Sequence, residues 1–280
     1  MYKLILRNNF YLAVLIVSLI FLFPAANPCC ADEPSAGQIM NTVYTRDDGN
    51  NMISEMEMTL IDKKENKRIR KMRMYKKDKG VDTLKILTFL GPDEVKGITF
   101  LAFDYFDVKK VDDMWLYMPE LGETLRIDAA DTSSPFMGSD FSYADLTKKA
   151  AADWNHKLLG EETINGRKMW VIEEKPINQE VEDYHGYTKS INYVSQDNFV
   201  IYRAIRWLKK GKRVKYFEAK QVEQIDGIWT KTLIHGKMTK NNRVIHQSIF
   251  RHLDVKYNQN LAEEMFTVEQ LAKKDFIKYE

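Results

Sequence analysis

Few side chains in this 280-residue chain are spaced for acid–base, nucleophilic or metal chemistry. The histidines His156, His185, His235, His246 and His252 show no H-E-x-x-H or comparable ligand spacing. His246 and His252 could share one face of a strand, but six positions at strand rise put them roughly 20 Å apart, too far to hold one ion. Gly138-Ser139-Asp140 sets a hydroxyl beside a carboxylate, yet no base is placed to take the proton. The doublets Asp112-Asp113, Glu173-Glu174 and Glu182-Asp183 would point to opposite faces of a strand and cannot act as a carboxylate pair. A nucleophile elbow, a phosphate-binding loop and a dinucleotide fingerprint are all missing from the sequence. The expectation is therefore no enzyme, no cofactor and no metal, with a lipid hydrolase built on Ser139 as a third reading.

The residue type in excess is methionine, with 13 in the chain. Met52, Met56, Met58, Met72, Met74, Met114, Met118 and Met137 fall in its first half. A flexible, polarizable side chain suits an apolar surface that adapts to varied ligands, and a plainly packed core is the alternative. The charge balance of 42 basic and 40 acidic residues gives no footprint for nucleic acid. With 29% charged and 44% hydrophobic residues the chain is neither disordered nor polytopic, and it can bury a real core.

The elements that must position these residues are mostly strands. Residues 35–44 read as a short helix with Ile39, Met40 and Val43 on one face. From Asn51 the period changes to two: Met52, Met56, Met58 and Leu60 alternate against Glu55, Glu57 and Thr59. Strand-like runs follow at 68–76, 84–90, 98–106, 114–118, 123–127, 168–174, 187–194, 199–208, 214–222, 229–238 and 244–255. Asn165-Gly166, Asp226-Gly227 and Asn241-Asn242 supply hairpin turns. The prediction is one mainly β domain, residues 32–280, built as a single curled antiparallel sheet of about 10–12 strands. A transmembrane barrel is disfavoured by the Lys and Arg crowding residues 63–79.

Two stretches break the meander. Residues 128–153 are loop-like at first, and Ser142 with Asp145 then forms a capping-box pattern that predicts a short helix through Ala152. A second box, Thr267 with Gln270, predicts a C-terminal helix to Lys274. A curled sheet this long encloses more space than its own side chains fill, so its concave face needs a plug or a ligand. The helix at 35–44 and the insertion 128–153, with Pro135 and Gly138 inside it, are the candidate plugs, and the insertion could act as a lid.

The N-terminus carries Lys3 and Arg7, an apolar run from Phe10 to Phe23, Pro24, and a small-residue stretch ending Cys29-Cys30-Ala31. That layout predicts a secretory signal peptide over residues 1–31, cleaved after Ala31. An uncleaved anchor, or an acylated Cys29 or Cys30, is the alternative. Cleavage removes both cysteines and the two basic residues behind the +2 net charge, so the exported chain would be charge-balanced and free of disulfides.

Three strings carry a family resemblance: Asp112-Asp113-Met114-Trp115-Leu116-Tyr117-Met118-Pro119, Leu125-Arg126-Ile127, and Ser134-Pro135-Phe136-Met137-Gly138-Ser139-Asp140-Phe141-Ser142-Tyr143-Ala144-Asp145-Leu146. Together with Gly91-Pro92 and Gly97-Ile98, over about residues 35–275, the chain resembles the outer-membrane lipoprotein-sorting proteins of the LolA/LolB-like group. The resemblance implies an unclosed β-barrel with a helical lid, a periplasmic location, and a hydrophobic cavity holding the acyl chains of a lipoprotein or lipid for transfer toward the outer membrane. It also implies transient membrane contact and association with an RND/MMPL-type inner-membrane transporter. The candidate lipid-binding residues are Met56, Met58, Met72, Met74, Trp115, Tyr117, Phe136 and Phe141. Which strand parity faces inward is left open, because Trp115 and Tyr117 lie opposite Met114 and Met118. A periplasmic adaptor that docks on such a transporter and carries no cargo is the alternative function.

Overall fold

The computed structural model describes residues 33–273. The expected signal peptide, Cys29 and Cys30 with it, and Lys274 lie outside the described residues. Among those described, no helix is long and apolar enough to cross a membrane.

Thirteen strands form one antiparallel sheet, one more than the upper expectation. They are β1 (Asn51–Asp62), β2 (Lys67–Lys79), β3 (Asp82–Gly91), β4 (Thr99–Asp104), β5 (Asp113–Met118), β6 (Glu123–Arg126), β7 (Trp154–Ile164), β8 (Arg167–Pro176), β9 (Tyr187–Ser195), β10 (Ile201–Leu208), β11 (Arg213–Ile225), β12 (Ile228–Lys240) and β13 (Arg243–Tyr257). In space the order runs β6 to β1, then β13 back to β7. Two meanders are thus joined by the pairing of β1 with β13, in which Met58 faces Phe250. The edges β6 and β7 stay unpaired with each other, so the sheet curls without closing. They are also consecutive in sequence, and residues 127–153 run from one edge to the other.

Local chemistry explains the strands and their turns. In β1 the buried Met52, Ser54, Met56, Met58 and Leu60 alternate with less buried neighbours, which fixes its register because a one-residue slip would turn every apolar side chain outward. Asn165-Gly166, Asp226-Gly227 and Asn241-Asn242 all have positive φ at both positions, as two-residue hairpins require. The strand β7 escapes a sequence reading because only Trp154 is buried along it. Its pairing with β8 skips Leu159, just before Gly160, and Glu161 and Glu162 follow, which are devices of a protected edge.

Among the described residues, three α-helices accompany the sheet. Helix α1 (Ala36–Thr45) is capped by Ser35, whose hydroxyl accepts from Gln38 N–H while the Gln38 side chain accepts from Ser35 N–H. Its Ile39, Met40 and Val43 pack on Ile172 and Val194. Helix α2 (Gln179–His185), which the strand patterning did not predict, is capped by Asn178 and ended by Gly186 in the left-handed conformation. Helix α3 (Val268–Lys273) covers the outer face, where Leu261, Met265, Phe266 and Leu271 pack on Tyr75, Ile86, Leu101 and Tyr117.

Gly49, at φ 77°, turns the chain into β1, and a Cβ there would lie 2.5 Å from a Tyr257 ring carbon. Gly49→Ala is expected to destabilise the fold by about 1–3 kcal/mol, from strain and overpacking together. Urea denaturation would show this as a lowered midpoint with an unchanged slope, and an unchanged midpoint would contradict it.

Candidate ligand cavity and its plug

Register divides the inner face of the curl into two chemistries. In the β1–β5 half, Met56 pairs with Met72 and Leu87 with Phe100, and these residues join Met58, Phe89 and Met114 in one buried cluster. In the β8–β11 half the inward row Ile172, Ala204 and Phe217 is apolar, but Glu174, Ser190, Asn192, Arg206 and Lys215 on the same face are polar; these five are buried or nearly so, and Ser190 pairs with Arg206.

The insertion fills the apolar half. Its tip is a small hairpin: Pro135 bridges to Ser142, Phe136 N–H donates to Phe141 O at 2.7 Å, and Met137 (φ 47°) and Gly138 (φ 76°) turn the chain. Phe136 is fully buried, with ring centroids 5.5 Å from Phe100, 5.5 Å from Tyr143 and 6.1 Å from Phe89. Phe141 lies 4.5 Å from Phe250 and 4.8 Å from Phe217. Such aromatic pairs each add about 0.5–1.5 kcal/mol beyond area burial. The expected helix through Ala152 is instead two 3-10 turns, Tyr143–Leu146 and Ala151–Asp153. Asp145 does accept from Ser142 N–H at 2.9 Å, but further along Thr147 takes extended backbone and Lys148 N–H donates to the Asp104 carboxylate, a bond that competes with a helix.

Polar contacts pin the plug to the sheet. Arg70 donates to Met137 O at 2.6 Å and Lys85 to Leu146 O at 2.8 Å. Ser248 donates to the Asp140 carboxylate at 2.8 Å, and His246 Nδ1 lies 3.0 Å from it. The buried Asp145 carboxylate pairs with Arg206 and accepts from Tyr187 O–H at 2.7 Å. Burial alone would raise Asp145, but the charges of Arg206 and Lys215, with the bonds from Ser142 and Tyr187, hold it well below the usual carboxylate range. Beside it, Lys149 reaches Glu174 at 3.6 Å, and Tyr44 of α1 and Asn192 each donate to Glu174 at 2.6 Å. Burial pushes Lys149 down to about 8 against the pull of Glu174.

A groove of about 1070 Å³ opens at one end of the curl, bordered by Tyr44, Arg46, Asp112, Lys149, Tyr184 and His185. Its rim includes the loop after β4, where Phe106 is 63% exposed and Val108 50%. Asp112 is pushed up to about 6 by burial and then by the nearby Asp104 charge, while accepting from Tyr184 O–H at 2.9 Å. The folded state therefore holds a proton on Asp112 that the unfolded chain releases near its ordinary value, so this group favours folding less as pH rises from about 4 to 6. Asp112→Asn is expected to remove that slope: the melting temperature of the variant minus that of the parent should rise across this window. A difference independent of pH would contradict it.

Of the eight candidate lipid-binding residues, Met56, Met58, Met72 and Phe136 are buried in the inner cluster, and Met74 and Phe141 pack against it. Trp115 and Tyr117 lie on the outer face, where Trp115 packs 5.1 Å from Phe103 and Tyr117 joins the cluster under α3. Inward parity on β5 belongs to Met114 and Leu116. None of the eight borders the open groove. The polar set of Tyr44, Asp145, Lys149, Glu174, Tyr187, Arg206 and Lys215 was missed. Its one legible signal is Asp145, conspicuous as the third residue after a cap, whereas Arg206 sits in a strand whose two faces look alike in sequence.

Solved structures share this architecture over nearly their whole length. An outer membrane lipoprotein-sorting protein domain from Vibrio parahaemolyticus is 25% identical, with a TM-score of 0.76 over 85% of this chain and 98% of its own. A DUF1329 family protein from Desulfovibrio piger is 24% identical, with a TM-score of 0.76 over 84% of this chain and 97% of its own. For a LolA superfamily protein from Nitrosomonas europaea the figures are 18% identity and a TM-score of 0.64, over 85% and 99%. A family model described as "Uncharacterized protein" matches residues 81–273. The chain belongs to that family, and its fold is LolA-like. No curated protein sequence matches it. In this LolA-like chain the region matched by the family model contains the plug, both edge strands and the polar half of the inner face.

Proposed function

We propose that this LolA-like protein is a non-enzymatic carrier that shields the acyl chains of a lipid or lipoprotein between the Met-rich inner wall and the plug, for transfer toward the outer membrane. The observation that carries this reading is that the apolar inner wall is covered by a separate segment, pinned by polar contacts at its tip and at Asp145–Leu146, and not by the sheet's own side chains. Met56, Met58, Met72, Met74, Phe136 and Phe141 are the proposed lining. A 16-carbon chain buried at about 0.8 kcal/mol per CH₂ gains roughly 12 kcal/mol. That is of the same order as the cost of exposing the plug's aromatic residues, so binding and plug closure compete closely and release is achievable. Export by the N-terminal segment and work in the periplasm belong to the same proposal, as does transient membrane contact.

The exposed Phe106 and Val108 favour a second reading, an adaptor that docks on an RND/MMPL-type transporter and carries nothing. Native mass spectrometry with lipid extraction, on protein purified from its own envelope, separates the two. The carrier reading expects a reproducible acyl-lipid adduct. A lipid-free protein in repeated preparations would reject it in favour of the adaptor.

A further inference from the structure

Charge on the polar half of the inner face does not balance. Among the described residues, Arg206, Lys215, Lys149 and Lys231 meet two buried carboxylates, Asp145 and Glu174. Lys231 lies within range of the Arg46 and Arg206 charges, beside a bulge of β12 where Leu233 pairs with Gln221 and Lys231 with Val222, so that Thr232 is skipped. Among the described residues no hydrogen bond or ion pair joins Lys231 to another side chain. Its ammonium is pushed down to about 8 by burial and then by the Arg46 and Arg206 charges.

Several buried hydrogen-bonding groups here are unmet, among them His156 Nδ1 and His185 Nδ1, and those nearest Arg206 can donate. Arg206 Nε and Ser190 Oγ, neighbours in register, are buried without partners, and so is Trp154 Nε1. Two of these can only donate, and the hydroxyl can. Unsatisfied buried donors beside surplus cations describe a site for an oxygen-rich anion. Asp145 already places one such group there: its carboxylate pairs with Arg206 and takes the Tyr187 hydroxyl, which Lys215 Nζ in turn reaches at 3.2 Å. That carboxylate belongs to the plug and leaves when the plug leaves.

We propose that the cargo carries an anionic headgroup, a phosphate or a group of like charge and size, which takes the place of the Asp145 carboxylate against Arg206, Lys215 and Lys231 when the plug swings out. This rests on the carrier reading. It makes the cargo's head a participant in opening: the apolar half accepts the chains while the polar half exchanges an internal anion for an external one.

The test uses lipid-stripped protein titrated with dioleoyl phosphatidic acid and with dioleoylglycerol, matched in chains and presented in nonionic micelles, and separately with inorganic phosphate. Charge-assisted hydrogen bonds from the inner wall are expected to favour the phosphatidic acid at least about tenfold, and the preference should fall to within about twofold in Lys231→Met and in Asp145→Leu/Arg206→Leu. The comparison within the parent protein stands even if a variant folds poorly. Equal affinity for the two lipids in the parent would overturn the headgroup site while leaving the carrier reading intact. Binding of neither lipid would overturn the carrier reading itself. Inorganic phosphate bound as tightly as phosphatidic acid would make the ligand a free anion and overturn a lipid source.

Discussion

Asp145→Leu is expected to destabilise the protein by about 3–5 kcal/mol, because it leaves the Arg206 guanidinium buried without its carboxylate. At roughly 2–4 °C per kcal/mol for a chain of this size, the melting temperature should fall by about 6–20 °C. Side-chain exposure is 3% for Asp145 and 16% for Arg206, so water cannot replace the lost partner. Arg206→Leu should cost a similar amount for the opposite reason, a stranded carboxylate. In Asp145→Leu/Arg206→Leu both charges are gone, and most of the loss should be recovered, since the pair repays its own desolvation only narrowly. A double-mutant cycle in which the two losses simply add would show that the pair does not hold the plug. Hydrogen exchange locates the effect: in the single variants the amides of Tyr143–Leu146 should exchange faster than those of β1, which the ion pair does not touch.

The sheet was legible where one face is buried and one is wet. β1, with its alternating methionines, and the two-residue turns at Asn165, Asp226 and Asn241 follow from side-chain period and from φ preferences that any copy of those residues would carry. The edge strand β7 was not legible, because an exposed edge with a glycine and paired glutamates has no apolar period to detect. The plug was recognised as a segment, from Pro135, Gly138 and its aromatic residues, but its internal form was not. Ser142 and Asp145 look like the opening of a helix, and only the distant Arg206 and Tyr187 decide that the Asp145 carboxylate turns toward the sheet. The candidate lining divides on the same logic. The methionines of β1 and β2 face inward as their alternation allows, whereas Trp115 and Tyr117 face the outer cluster under α3, an element about 150 residues away. Contacts made by single long-range pairs leave little trace in local sequence, and the polar half of the inner face consists of such pairs.

The central claim is that acyl chains reach the inner wall only when the plug moves. A tether tests it within one molecule. A Cβ built at Gly236 lies 3.4 Å from Asp140 Cβ in the plug and 3.1 Å from a Phe217 ring carbon, which must give slightly. Bridged cysteines hold their Cβ atoms at about 3.5–4.5 Å, so Asp140→Cys/Gly236→Cys is placed to close under oxidation. Cys29 and Cys30 are changed to Ser so that no other thiol competes. The reduced and oxidised forms share every substitution, which leaves the tether as the one difference between them. Binding of a fluorescent 16-carbon fatty acid is then measured in both states. The account predicts that the reduced protein binds it and that oxidation weakens binding at least about tenfold, equivalent to losing the burial of only two CH₂ groups, with recovery on reduction. Equal binding by the oxidised and reduced forms would contradict it, since the chains would then have a site that the plug does not guard.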